Sequence, residues 1–145
     1  MDTPDGAQGA DTIAKGRLVR FIMSPPSPYA RKVRILIRAA GLQDAITEHE
    51  VTATPLQSGP QALAANPLGR IPARIRTKGP ALHDSRVICR YIDSLSDVAL
   101  YPEAHRWEVL TLGATAGGIL GSAVSMTCEF RLRGDGAWDD WIEAQ

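Results

Sequence analysis

A proline-rich junction between two hydrophobic patterns constrains this chain most. Residues 18–23 are nearly all apolar and predict a short buried strand, which three prolines within residues 24–28 then end. Apolar residues next recur at helical spacing until Gly41 supplies a stop signal. Ser27 is therefore expected at the helix N-cap, with Pro28 at the first helical position. A hydroxyl there lies at the positive end of the helix dipole, which favours an anion such as a thiolate, although an ordinary capped helix has the same features.

Composition excludes several classes of protein. The chain has 145 residues, no net charge and an ordinary apolar fraction of 44%, so it is one domain, or one small domain plus part of another. Neither disorder nor a nucleic-acid-binding surface is indicated by this balance. The two cysteines, Cys89 and Cys128, form neither a metal-binding spacing nor a CxxC pair. Cys89 lies in a helical apolar pattern and is expected to be a buried, inert thiol.

The beginning of the chain predicts the cellular location. Residues 1–16 are rich in Asp, Gly and Ala and lack the apolar segment of a signal peptide, so we expect a flexible tail. Two cysteines without a disulfide framework fit a reducing compartment. The protein is therefore predicted to be cytoplasmic.

Alternating patterns after the tail predict an α/β fold. A turn signal at Asn66-Pro67-Leu68-Gly69 separates the second helix from the third strand, and Asp84 is placed to cap the third helix. The resulting order is β-α-β-α-β-β-α, the thioredoxin-like arrangement. The predicted strands span residues 18–23, 45–51, 72–77 and 81–83, and the predicted helices span residues 28–40, 57–65 and 84–95.

Three separated motifs carry a resemblance to a known family. Residues 27–34 begin with Ser-Pro-Tyr and continue with basic residues, residues 66–72 read Asn-Pro-Leu-Gly-Arg-Ile-Pro, and residues 82–88 read Leu-His-Asp-Ser-Arg-Val-Ile. With this order and spacing, residues 17–96 resemble the N-terminal, glutathione-binding domain of soluble glutathione transferases, in particular bacterial and serine-type members.

The resemblance implies roles for residues of the first two motifs. Ser27 is expected to donate a hydrogen bond to the sulfur of glutathione, with Ser24 as the rival hydroxyl. The backbone of Ile71 is expected to pair with the cysteinyl part of glutathione, and Pro72 to follow a cis peptide bond. A trans proline at the start of an edge strand is the alternative at this position.

The third motif and the loop before it supply the remaining expected contacts. Ser85 and nearby N–H groups are expected to receive the γ-glutamyl carboxylate, while Asp84 reaches the ammonium group. Arg70 is the candidate for the glycyl carboxylate, although a solvated loop arginine fits equally well. A well-capped helix is a further reading of Asp84 and Ser85, and it is compatible with binding. Glutathione is the expected co-substrate, and no metal site is predicted.

The second half of the chain departs from the family. After a linker at 97–102, residues 103–145 are expected to form only part of the family's all-helical domain, with exposed apolar faces. Residues 109–128 carry no charge and meet the bare criteria for a membrane helix, but their glycines and hydroxyl residues favour a soluble helix. Arg74 and Arg76 occur where the family's third strand is usually apolar, and they predict a less completely covered sheet face.

The resemblance implies transfer of the glutathione thiolate to a small electrophile, as in detoxification. It also implies a homodimer, and no nucleic-acid or membrane partner is expected. The alternative is a non-catalytic interaction module of the same fold, inactive because its helical domain is incomplete. A glutaredoxin-type oxidoreductase is disfavoured because Ser27 and Ala30 stand where that motif places cysteines.

Overall fold

The computed structural model describes residues 19–54, 56–76 and 79–145. The predicted tail at 1–16 lies outside these residues, as do the first residue of the predicted first strand and the last residue of the predicted third strand. The elements follow the predicted order, β-α-β-α-β-β-α and then helices. They are β1 (Val19–Met23), α1 (Pro28–Ala39), β2 (Ile46–Glu50), α2 (Pro60–Ala65), β3 (Ala73–Ile75), β4 (Leu82–His83), α3 (Ser85–Asp93), α4 (Arg106–Arg133) and α5 (Asp139–Glu143).

The strands form one mixed four-stranded sheet in the order β2-β1-β3-β4. β1 and β2 are parallel and are joined by α1, whereas β3 is antiparallel to β1 and β4 is antiparallel to β3. This is the thioredoxin-like arrangement that the alternating sequence patterns predict.

Side chains along β1 alternate between the two faces of the sheet, and each face carries its own cluster of buried apolar residues. Phe21 and Met23 belong to the core under α1 and α3, whereas Ile22 belongs to a smaller cluster on the face of α2. The larger cluster consists of Phe21, Met23, Ala30, Val33, Ile37, Ile46, Ile88, Cys89 and Ile92. Cys89 is fully buried there, as predicted.

The helix α2 begins three residues later than predicted, at Pro60 instead of Gln57. An antiparallel bridge between Ala53 and Ser58 holds the preceding residues in an extended loop. Pro60 then occupies the first helical position, where its missing N–H group is not needed.

The expectation of a poorly covered sheet face at Arg74 is wrong. The Arg74 side chain is 1% exposed, and its guanidinium carbon lies 4.2 Å from the centre of the Tyr91 ring on α3. Its neighbours across the sheet are Phe21 and Leu82. The aromatic ring covers the cation and attracts it through a cation–π interaction, so the arginine fills a place that an apolar side chain usually takes.

None of the residues of the long helix α4 is buried, in contrast to α1, α2 and α3. It follows a 3₁₀ turn at Glu103–His105 and ends at Arg133, with Gly134 at its C-cap, and the short helix α5 comes after it. Within the described residues, one helical stretch, Glu103–Gly136, is long and apolar enough to cross a membrane, and an 18-residue window of it has a mean hydropathy of 1.5. A single such helix is weak evidence for a membrane span, since the core helices of soluble proteins meet the same criterion.

Candidate functional site

The strand register brings the three sequence motifs to one edge of the sheet. Ile22, near the end of β1, lies opposite Ala73, the first residue of β3. Ala73 in turn lies opposite His83, the last residue of β4. The segment leading to α1, the loop before β3 and the N-terminus of α3 therefore all emerge at this edge, which we call the site edge.

Ser27 caps α1 at the site edge, as predicted. Its Oγ accepts a hydrogen bond of 3.2 Å from the backbone N–H of Ala30, and Pro28 occupies the first turn. A hydroxyl that accepts in this way keeps its own hydrogen available for donation to another group. Ser24, the rival hydroxyl, is buried, and its carbonyl accepts a hydrogen bond of 3.0 Å from the N–H of Ser27. Ser27 is the more exposed of the two and lies at the helix end, which favours it as the thiol-binding hydroxyl.

The loop before β3 is shaped by a buried asparagine. The Asn66 side chain donates from Nδ2 to the carbonyl of Arg70 at 2.8 Å and accepts from the N–H of Leu68 at 3.0 Å. Gly69 adopts a φ of +63°, and a Cβ atom there would lie 2.5 Å from Ser58 Oγ. Glycine is therefore required at this turn.

This loop delivers Ile71 and Pro72 to the start of β3. The peptide bond between them is cis, as the family resemblance implies, and Pro72 is buried while Ile71 is half-buried. The Arg70 side chain is exposed on the same loop. Its backbone carbonyl accepts the hydrogen bond from Asn66 Nδ2 within this loop.

Asp84 and Ser85 begin α3 at the other side of the site edge. Asp84 caps the helix through Oδ1, which accepts a hydrogen bond of 2.8 Å from the N–H of Arg86. Its φ of +70° is a conformation that side chains other than Asn and Asp rarely tolerate. Ser85 is buried at the first helical position.

The Arg86 side chain pairs with the Asp84 carboxylate, and the positive charge of Lys32 also acts on it; the sequence analysis assigned a role to neither. The Arg86 guanidinium donates from Nη2 to Oδ2 at 2.7 Å and from Nε to Oδ1 at 3.1 Å. These hydrogen bonds hold the pKa of Asp84 below its ordinary value, and the charge of Lys32 on α1 acts in the same direction. The sequence signal for the Arg86–Asp84 pair is an arginine placed two residues after a capping aspartate.

Of the two cysteines, Cys89 is buried and Cys128 is half-buried. Burial raises the pKa of the Cys89 thiol to about 11, so this group stays protonated at neutral pH. Cys128 lies on α4. Among the described residues, no group of three or more His, Cys, Asp or Glu side chains is arranged to hold a metal ion.

Comparison with known proteins agrees with this geometry. The family model described as the N-terminal domain of glutathione S-transferases matches residues 26–95. A glutathione transferase family member from Pseudomonas fluorescens, solved with bound glutathione, is 33% identical, with a TM-score of 0.82 over 87% of this chain and 63% of its own. Residues 26–95 are thus a domain of the glutathione S-transferase N-terminal family. No curated protein matches the chain.

Two further transferases extend the comparison. The glutathione S-transferase from Methylobacillus flagellatus, with glutathione bound, is 30% identical, with a TM-score of 0.72 over 87% of this chain and 62% of its own. The one from Methylobacterium radiotolerans, in complex with glutathione sulfonate, is 28% identical, with a TM-score of 0.65 over 88% of this chain and 59% of its own. This glutathione S-transferase homologue thus spans less than two thirds of the length of these relatives.

Proposed function

We propose that the chain binds glutathione at the site edge and transfers its thiolate to a small electrophile. The observation that carries this proposal is the meeting of two helix N-termini and the Ile71–Pro72 turn at one edge of the sheet. Two helix ends present free N–H groups to anions, and glutathione carries two carboxylates and an ionisable thiol. Asp84 adds one negative charge for the ammonium group.

Each residue of the proposed site has a defined task. Ser27 donates its hydroxyl hydrogen to the sulfur, and the backbone of Ile71 pairs with the cysteinyl residue beside Pro72. Asp84 binds the ammonium, and Ser85 binds the γ-glutamyl carboxylate. Arg70, which is exposed on the loop, reaches the glycyl carboxylate only if its side chain turns toward the peptide.

The energies required of Ser27 are modest. A free thiol has a pKa of about 8.5, and lowering it by about two units requires about 2.7 kcal/mol of preferential thiolate stabilisation. One hydrogen bond to a charged group contributes about 1.5–3 kcal/mol, and a helix N-terminus up to about 1 kcal/mol. Ser27, as the N-cap of α1, supplies both effects at one atom.

A second candidate function is a non-catalytic binding module of the same fold. It is favoured by α4, which has no buried residue and leaves Trp107, Leu112 and Ile119 more than half exposed, at 74%, 71% and 66%. In the binding module, a partner protein would cover these exposed side chains of α4.

For the transferase, we expect a cytoplasmic homodimer that takes part in detoxification.

Calorimetric titration of the full chain with glutathione tests the proposal. We expect saturable binding that Ser85→Ala weakens about tenfold, the loss of one hydrogen bond to a charged group. Ser94→Ala is the matched control, because Ser94 lies at the opposite end of α3. No binding by a chain with a folded circular dichroism spectrum contradicts the proposal and favours the binding module.

The role of Ser27 is tested by the pKa of the bound thiol, followed through the ultraviolet absorbance of the thiolate. Ser27→Ala is expected to raise this pKa by about one to two units. Ser27→Gly removes the hydroxyl as well but costs the helix only a few tenths of a kcal/mol. The two variants should therefore raise the thiol pKa equally, and an unchanged pKa in both assigns the thiolate to another donor.

A further inference from the structure

The carboxylate proposed to bind the ammonium of glutathione already has a cationic partner within the chain. Arg86 contacts both oxygens of Asp84, at 3.1 Å through Nε and at 2.7 Å through Nη2. This two-point geometry is the one in which arginine binds carboxylates most strongly. An ammonium group that approaches Asp84 would meet the guanidinium at the same two oxygens.

The local charge balance makes this competition unfavourable for the ammonium. Asp84 contributes one negative charge, while Arg86 and Lys32 contribute two positive charges that act on it. A ligand ammonium bound to Asp84 would be a second cation at the two oxygens that Arg86 already contacts. Like charges at such short distances repel each other, so the Arg86 guanidinium has to withdraw when the ammonium binds.

Arg86 is the cation that can withdraw without damage to the fold. Its side chain is 68% exposed, and no other part of the fold rests on this surface ion pair. The cap of α3 does not depend on it, because Oδ1 of Asp84 also accepts a hydrogen bond from the backbone N–H of Arg86 at 2.8 Å. That backbone bond is retained when the side chain rotates into solvent.

We propose that Arg86 is an internal competitor for the ammonium subsite and thereby sets how strongly the site prefers a peptide with a free amino group. Occupied by Arg86, Asp84 gives little advantage to the ammonium of glutathione. Freed from Arg86, the same carboxylate discriminates more strongly between a free and a blocked amino group. This inference rests on the proposed function, because it assumes that glutathione binds with its γ-glutamyl end at Asp84.

The test compares two peptides, glutathione and glutathione acetylated on its amino group, by calorimetric titration of the full chain. The measured quantity is the ratio of their affinities, since acetylation removes the ammonium and leaves both carboxylates. Arg86→Gln is expected to raise the preference for glutathione about two- to fivefold, the range that a surface ion pair spans. Arg31→Gln, the same charge change at an exposed position on α1, should leave the ratio unchanged.

A second pair of variants links the effect to Asp84. Asp84→Asn retains helix capping and tolerates the positive φ, but it lacks the charge that the ammonium requires. In the Asp84→Asn background, Arg86→Gln should leave the affinity ratio unchanged. A ratio that moves equally in both backgrounds overturns the proposal, because Arg86 would then act on the peptide without Asp84.

The outcomes separate this inference from the proposed function. If wild-type protein binds glutathione and Arg86→Gln leaves the ratio unchanged or lowers it, Arg86 is not a competitor and the proposed function stands. If the folded wild-type chain binds neither peptide, both proposals fail.

Discussion

Apolar side chains are used in opposite ways in the sheet domain and in α4. In the sheet domain, Phe21, Val33 and Ile88 are fully buried in one cluster between the sheet and two helices. In α4, comparable side chains such as Leu112 and Ile119 are mostly exposed, and no residue is buried. The two regions meet where the Tyr29 hydroxyl lies beside Gly121, 3.4 Å from where a Cβ would stand.

The difference shows that the pattern of apolar residues matters more than their number. In α1, the buried residues Ala30, Val33 and Ile37 recur at intervals of three and four, so they share one face. The apolar residues of α4 lie all round the helix, interrupted by glycine and hydroxyl residues. A helix with one apolar face packs on a single sheet, whereas a helix that is apolar all round is stabilised only by partners on several sides.

The largest expected difference in the free energy of unfolding comes from replacing an isoleucine by alanine in each of the two regions. Ile88→Ala removes a fully buried side chain and should lower the free energy of unfolding by about 2–5 kcal/mol. Ile119→Ala removes a side chain that is 66% exposed and should change it by no more than about 0.5 kcal/mol. Urea denaturation of both variants measures the contrast. Equal losses would mean that α4 is packed in solution.

The two cysteines should affect stability at alkaline pH differently, because Cys89 is buried and Cys128 is only half-buried. The pKa of Cys89 is raised by burial from 9.0 to about 11, so the unfolded chain loses this proton at lower pH than the folded one. The free energy of unfolding should be constant below pH 9 and about 2 kcal/mol lower at pH 11. Cys89→Ala should flatten this decline, and Cys128→Ala should retain it.

Tyr101 contributes to the slope that remains in Cys89→Ala. Burial raises the pKa of its hydroxyl to about 12, which acts in the same direction. If wild type and Cys89→Ala lose stability in parallel above pH 9, Cys89 ionises as easily in the folded chain as in the unfolded one, and the assignment of this decline to its burial is wrong.

Aromatic residues provide the third contrast. Tyr91→Leu removes the ring above the buried Arg74 guanidinium and should cost about 1–2 kcal/mol. Trp107→Leu, at a position 74% exposed, should be nearly neutral. The cost of Tyr91→Leu should shrink in an Arg74→Met background, because the cation is then absent. An undiminished cost in the double variant would assign the role of Tyr91 to packing alone.

Glycine substitutions give the smallest effects and act on α4 itself. A Cβ at Gly117 would have no neighbour within 4 Å, so Gly117→Ala should stabilise the helix by about 0.5–1 kcal/mol. Gly134 ends α4 with a φ of +53°, so Gly134→Ala should destabilise its last turn. Amide hydrogen exchange within α4 measures both. Effects of the same sign would show that α4 does not end at Gly134 in solution.

Much of the fold and of the candidate site could be predicted because its signals are local. Ser27 with Pro28 marks the start of α1, and Asp84 marks the start of α3, since capping depends only on the neighbouring N–H groups. The turn at Gly69 follows from a backbone conformation that glycine alone adopts easily. The family motifs then pointed to Ile71 and Ser85, which the strand register brings to the same edge.

The sequence by itself determined the order of the elements, their capping residues and the inert state of Cys89, all of which follow from short-range periodicity and residue chemistry. Only the tertiary structure decided the environment of Arg74, which lies beneath Tyr91, a residue seventeen positions away along the chain. It also decided that Lys32 of α1 acts on Asp84 of α3. Contacts of this kind join separate elements, and the packing of those elements against the sheet sets their distance.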